Sequence, residues 1–218
     1  MSSIIGFLHN RLTGFFVFLS AIHAIAKFDT YSQKQWLGYI ERSCREPASQ
    51  IEKLRLLQSF SSNDRCWIET GTYLGYTTRG LSKVAPHVYS LEPSELYFKK
   101  ALISLSDLNN VSIINKSSED GLLEILDLLD EGSKVSFWLD GHYSAGDTFL
   151  GANHCPIEEE LNAIESRLGV IDPQIFIDDF RLFGAEEGYP SKDFLVDWSR
   201  KNGFSWTVER DILILSRQ

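Results

Sequence analysis

The segment Glu69-Thr70-Gly71-Thr72-Tyr73-Leu74-Gly75-Tyr76-Thr77-Thr78 sets two glycines four residues apart, behind a carboxylate and among hydroxyl side chains. Glycine reaches positive φ and lets a ligand come close to the backbone, so this turn suits a ligand cradled by main chain. It is neither Gly-x-Gly-x-x-Gly nor a phosphate loop, since no Gly-Lys-Ser/Thr follows, and nucleoside triphosphate binding loses support. Glu92 stands 23 residues after Glu69, where a carboxylate can accept hydrogen bonds from ribose hydroxyls. The plainer reading is a tight turn and a solvated glutamate. Turn and second acid together point instead to a nucleoside-bearing ligand. Two further acidic groups follow, in Asp140-Gly141-His142-Tyr143 and in Asp178-Asp179.

These residues need strands to hold them. Cys66–Glu69, His87–Leu91, Val111–Ile114, Val135–Leu139 and Gln174–Ile177 read as strands. Helical segments lie between them: Thr77–Val84, Leu96–Leu108, Gly121–Asp130 and Ile157–Leu168, then Phe194–Lys201 closed by Gly203. Phe204–Val208 and Ile212–Leu215 flank Glu209-Arg210-Asp211 as a terminal antiparallel hairpin. The alternation predicts an α/β domain with a mostly parallel sheet and helices on both faces. Ligands of such sheets bind at the carboxyl ends of the strands, which is where Glu69, Glu92, Asp140 and Asp178 fall. Residues 31–60 carry Trp36, Leu37, Ile40, Ile51, Leu54, Leu56 and Leu57 at helical spacing, with Pro47 expected to start the second helix. The chain divides into an N-terminal helical segment, 1–60, and a catalytic body, 61–218.

Glu-Thr-Gly-Thr-x-x-Gly-x-Thr, Glu92 and the terminal hairpin resemble class I S-adenosylmethionine (SAM)-dependent methyltransferases over about residues 60–218. The resemblance implies a Rossmann-like seven-stranded sheet with the last strand antiparallel. It implies a cofactor site of Glu69, Thr70, Gly71, Thr72, Gly75 and Thr77 around the methionine part, with Glu92 on the ribose. Ser118 and Glu119 fall where that family contacts adenine, although a helix N-cap at Ser117 or Ser118 explains those serines equally well. In the family's strand order Asp140, Asp178 and Asp179 end neighbouring strands. Three converging carboxylates repel unless neutralised, which a hard divalent cation such as Mg²⁺ does. The pattern is similar to the macrocin O-methyltransferase family, which methylates sugar hydroxyls with magnesium. That family carries Asp-Gly-Asp-x-Tyr where this chain has Asp140-Gly141-His142-Tyr143. The resemblance therefore implies a metal on Asp140, Asp178 and Asp179, Asp140 beside the cofactor, and His142 as the catalytic base, a role histidine suits near neutral pH.

Charge bounds the partners. The 218 residues carry a net charge of −9. The first sixty hold seven basic and four acidic groups, and the remainder fourteen and twenty-six, so +3 faces −12. A body at −12 disfavours nucleic acid, which needs a basic footprint. Glu124, Asp127, Asp130 and Glu158–Glu160 read as surface acids. Cys44, Cys66 and Cys155 form no Cys-x-x-Cys pair, so neither a disulfide framework nor a zinc ribbon is indicated. A His154/Cys155 nucleophile pair has no evident orienting group. Leu12–Ala26 is apolar and uncharged, shorter than the about 20 residues of a spanning helix. It reads as a membrane-contacting helix, as a helix packed on the domain or a second subunit, or as a cleaved signal.

The expected acceptor is a sugar, a glycan or another polar small molecule. The expected location is the cytoplasm, with peripheral contact at the inner membrane face through residues 4–26, and a homodimer is a further expectation. Two other classes fit the same residues: a non-catalytic, membrane-associated Rossmann-like binding module, and a metal-dependent hydrolase using the aspartates.

Overall fold

Short, mostly apolar runs form seven strands, β1 and β4–β5 stopped by Gly71, Asp140 and Asp178: β1 (Arg65–Thr70), β2 (Val88–Leu91), β3 (Val111–Ile114), β4 (Lys134–Leu139), β5 (Asp172–Ile177), β6 (Ser205–Glu209) and β7 (Ile212–Ser216). The computed structural model describes residues 33–42, 46–140 and 155–217. Its helices are α1 (33–41), α2 (Gln50–Ser59), α3 (Tyr76–Leu81), α4 (Glu95–Ser104), α5 (Ser118–Leu126), α6 (Ile157–Glu165) and α7 (Lys192–Lys201). The strand order is β3-β2-β1-β4-β5-β7-β6. β1 to β5 run parallel, and β7 lies antiparallel between β5 and β6. This is the expected Rossmann-like sheet with its antiparallel terminal strand.

Side chains of a strand alternate between faces, and the core divides accordingly. On one face Ile68, Phe137, Leu139, Ile175, Ile177 and Leu213 pack with Leu122 and Ile125 of α5, Leu161 and Ile164 of α6 and Leu195 of α7. On the other, Trp67, Val88, Trp138, Phe176, Ile212 and Ile214 meet Leu56 and Leu57 of α2 and Leu81 at the end of α3. Period two then assigns the strand-end acids. Glu69, Asp140 and Asp178 share the α2/α3 face with Trp67, Trp138 and Phe176, whereas Thr70 shares the α5/α6 face with Ile68. The last β4/β5 pair is Leu139 with Ile177, so Asp140 and Asp178 stand side by side one step beyond it.

Pro47 does not start α2. Ser49 caps the helix, with extended backbone and a hydroxyl that accepts from the Glu52 N–H. A serine oxygen that satisfies an orphan amide fixes the start more firmly than a proline three residues upstream. Ser117 is likewise the N-cap of α5. The hairpin turn is Arg210-Asp211, both at positive φ (53° and 65°), the mirror-image turn whose twist suits two tightly linked strands. Among the described residues no helix is long and apolar enough to cross a membrane. The apolar segment 12–26, Cys44, His142, Tyr143 and His154 lie outside the described residues.

Candidate functional site

The Gly turn is built by the strand ends beneath it. The N–H groups of Gly71 and Thr72 both donate to the Leu91 carbonyl at the end of β2, 3.0 Å each. Gly71 at φ 90° and Gly75 at φ 78° make the bends. A Cβ on Gly75 would sit 2.6 Å from Leu105 Cδ1. Glu69, 1% exposed, accepts from the Thr78 and Ser90 hydroxyls on one carboxylate oxygen. Ser90 has a single proton, already given to Glu69, so Thr72 donates to Ser90 across 2.6 Å. Burial pushes Glu69 up to about 7, against these two hydroxyl donors and helped by the Glu92 charge. Thr78, one residue beyond the motif's Thr77, is the threonine that reaches Glu69.

Glu92 takes one main-chain N–H on each oxygen, from Tyr73 (2.7 Å) and Ser94 (2.9 Å). A carboxylate has about four acceptor positions, so Glu92 is fixed in place and keeps capacity for a pair of hydroxyls. It is 5% exposed, and burial raises its pKa. Tyr73, at φ 50° beside it, packs its ring on Tyr97 with centroids 4.5 Å apart.

Asp178 and Asp179 meet on a cation that the chain itself supplies, and Asp140 stands near enough for its charge to act on it. Lys53 of α2, 6% exposed, places Nζ 2.5 Å from Asp178 Oδ1 and 2.9 Å from Asp179 Oδ1. Burial alone would lower its pKa; the Asp178, Asp179 and Asp140 charges overcome this and raise it. Asp140 lies well above the usual carboxylate range, first through burial and then through the Asp178 charge, with Lys53 pulling the other way. Asp178 is raised by burial against the opposing pull of Lys53. The Asp140 N–H donates to Thr70 Oγ1 (3.2 Å), tying the β4 end to β1.

Asp179, at φ 52°, also accepts from Arg181 (2.7 Å). Arg181 in turn pairs with fully buried Asp211 in the hairpin turn, whose Oδ1 takes the Arg181 N–H at 2.8 Å. Among the described residues no group of three His, Cys, Asp or Glu is arranged to hold a metal ion. The aspartates as placed do not fit the expected Mg²⁺: a divalent ion would need its ligand oxygens about 2.0–2.1 Å away, in the space that the ammonium fills.

On the opposite face Glu160 of α6 is buried to 2% exposure, contrary to its reading as a surface acid. Burial pushes it up to about 7, against hydrogen bonds from Ser118 and Thr70, and Oε1 is without a partner. Glu160 thereby links Ser118, at the start of α5, to the end of β1. Ser118 and Glu119 lie 3.5 Å apart through their side chains. Cys155 is buried and its thiol pushed up to about 12 by burial, which leaves no thiolate for nucleophilic chemistry.

Lys53 and Glu160 were both missed by sequence reasoning, and one signal marks each. Lys53 stands three and four residues before Leu56 and Leu57, and Glu160 three after Ile157 and four before Ile164. Each is a charge on the apolar stripe of a helix, where it must be paired if it is buried.

No family model matches the chain, and no curated protein matches it. Solved structures do. A proposed rRNA methylase from Clostridium thermocellum superposes with a TM-score of 0.53 at 15% identity, over 75% of this chain and 93% of that one. SMU.1697c, a proposed methyltransferase from Streptococcus mutans in complex with SAH, gives 0.52 at 18% identity, over 78% and 96%. The YcgJ protein from Bacillus subtilis gives 0.51 at 12% identity, over 72% and 70%. With its strand order and its antiparallel β7, the chain has the Rossmann-like fold of SAM-dependent methyltransferases.

Proposed function

We propose that the chain is a SAM-dependent methyltransferase acting on a hydroxyl of a sugar or another polar small molecule. The observation that carries this is the paired-acid cradle: Glu69 and Glu92 at adjacent strand ends, with the Gly71–Gly75 turn locked between them by the Leu91 carbonyl. The residues present fit the cofactor. Glu92 has acceptor capacity for ribose hydroxyls, and Glu69 would stand by the methionine part and Ser118 and Glu119 by the adenine. Bound there, SAM supplies an electrophilic methyl group on a positively charged sulfur.

The chain's own residues would do the rest. Asp140 and Asp178, side by side beyond β4 and β5, are placed to accept a hydrogen bond from an acceptor hydroxyl and hold its oxygen toward the cradle. With SAM in the cradle, that orientation would direct the acceptor oxygen at the methyl group it supplies. The hydroxyl proton passes to a base, for which His142, two residues beyond Asp140, is our candidate; the raised pKa of Asp140 suits it to receive the proton as well. Hydroxyl methylation and the likeness to the macrocin family rest on the Asp140-Gly141-His142-Tyr143 pattern, and on carboxylates at the ends of β4 and β5 that could accept from a polyhydroxylated acceptor.

Isothermal titration with SAM and with S-adenosylhomocysteine tests the cofactor half. Binding of one equivalent that is lost in Glu92→Ala is expected, and a folded sample that binds neither compound overturns the proposal. Labelled methyl transfer to a sugar panel tests the acceptor half. Turnover that falls by about 100-fold or more in Asp140→Asn, with S-adenosylhomocysteine binding retained, is the expected result.

A further inference from the structure

We infer that Lys53 is the resident cation of this site, a fixed ammonium supplied by α2 in place of a divalent metal ion. The inference deepens the acceptor half of the proposed function, because it says how the aspartates that would hold the acceptor are themselves held.

The geometry is specific. Lys53 is buried, and its Nζ bridges Asp178 Oδ1 and Asp179 Oδ1 at 2.5 and 2.9 Å. A metal on the same two oxygens would lie within about 2 Å of each, so ammonium and metal exclude one another. The surrounding groups fit the ammonium. Asp178 Oδ1 also accepts the Asp179 N–H at 2.7 Å, and Asp179 Oδ1 also accepts from Arg181 at 2.7 Å. Both oxygens are therefore already committed to protein donors. Arg181 is in turn anchored on buried Asp211, so two cations, Lys53 and Arg181, brace the carboxylates from α2 on one side and the hairpin turn on the other.

The helix that brings Lys53 is tied down independently. Leu56 and Leu57 pack into the core beneath it, Gln58 donates to the Gly80 carbonyl of α3 (2.9 Å), and Arg210 of the hairpin donates to the Glu52 carbonyl (3.2 Å). An ammonium held on such a helix orients Asp178 and Asp179 whether or not metal is in solution. Lys53 is a positioning residue here, acting on the acceptor through these carboxylates.

Mn²⁺ binding to the full chain, followed by electron paramagnetic resonance, tests this without any turnover. Wild type is expected to show no Mn²⁺ site that depends on Asp178. Lys53→Met, which keeps the length of the side chain and removes its charge, is expected to gain about one Mn²⁺ per chain, lost again in K53M/D178N. Lys53→Arg, which keeps a cation, is expected to gain none. Mn²⁺ held by wild type and released in Asp178→Asn overturns the inference, as does a folded K53M that gains no metal. If K53M folds only when Mn²⁺ is supplied, the same gain is read as stability; a K53M that stays unfolded with Mn²⁺ overturns it too. S-adenosylhomocysteine titration of wild type in parallel separates the two proposals, since its failure bears on the cofactor and leaves the place of the ammonium standing.

Discussion

Glu69 shows how one buried side chain ties stability to pH. It is held near 7, above its unfolded-state value near 4.5, mainly because burial disfavours the charged form. A carboxyl whose folded pKa is raised contributes stability that is whole below the unfolded value and is lost as pH rises through the folded value. The window is therefore about pH 4.5 to somewhat above 7, and the loss from this group is on the order of 3 kcal/mol. Glu160 carries the same sign over the same window. Glu69→Gln stays neutral at every pH and its oxygen can still accept from Thr78 and Ser90. Urea unfolding at pH 5 and pH 8 should show wild type losing clearly more stability than Glu69→Gln over that interval, with the double variant E69Q/E160Q flatter still. An equal loss in wild type and Glu69→Gln would remove burial of Glu69 as the cause.

At the scale of elements, the meeting of α2 and α3 sets where Lys53 stands. A Cβ on Gly80 would lie 2.4 Å from Leu54 Cδ2 of α2, so the close approach of the two helices depends on that hydrogen. Gly80→Leu should lose about 1–3 kcal/mol through overpacking, despite the better helix propensity of leucine. It should also shift α2 away from the β5 end. Chemical denaturation checks the first effect, and a changed Lys53 ammonium resonance in nuclear magnetic resonance checks the second; stability at or above wild type shows that Leu54 simply moves aside. The same level shows what could be read from the chain beforehand. β3 falls on Val111–Ile114, as the apolar run between Asn110 and Asn115 indicates, and the acids at the ends of β1, β2, β4 and β5 follow from alternation and turn chemistry. Lys53 and Glu160 were less legible because lysine and glutamate are ordinary on helix surfaces. Only the phase of the apolar stripe, which needs exact helix bounds, distinguishes a buried position from its exposed neighbour. The position of Pro47 obscured those bounds for α2, where Ser49 sets the start.

For the whole molecule, the boundary between segment and body becomes a question of what covers the sheet. The sequence suggests a division after residue 60, where the polar run Ser61-Ser62-Asn63-Asp64 begins. Yet the face carrying Trp67, Trp138 and Phe176, each at most 1% exposed, is covered by α2, with Phe60 edge-on to Phe176 at 5.2 Å. Large exposed apolar patches drive association, and removing α2 would leave Asp178 buried without its cation, a loss of about 3–5 kcal/mol for one broken buried pair. Against a typical domain stability of about 5–15 kcal/mol, that and the lost apolar contacts are enough to unfold the body. Two truncations separate the possibilities. A chain beginning at Glu46 keeps Ser49, Lys53, Leu56, Leu57 and Phe60, and should unfold cooperatively and elute as a discrete species. A chain beginning at Ser61 should aggregate or lack near-ultraviolet circular dichroism. If the shorter chain is instead folded and as stable as the longer one, α2 is an appendage and Lys53 is dispensable to the fold. If only the longer chain folds, the segment that sequence charge sets apart at +3 is, from residue 50 onward, part of the structure that holds the acidic site together.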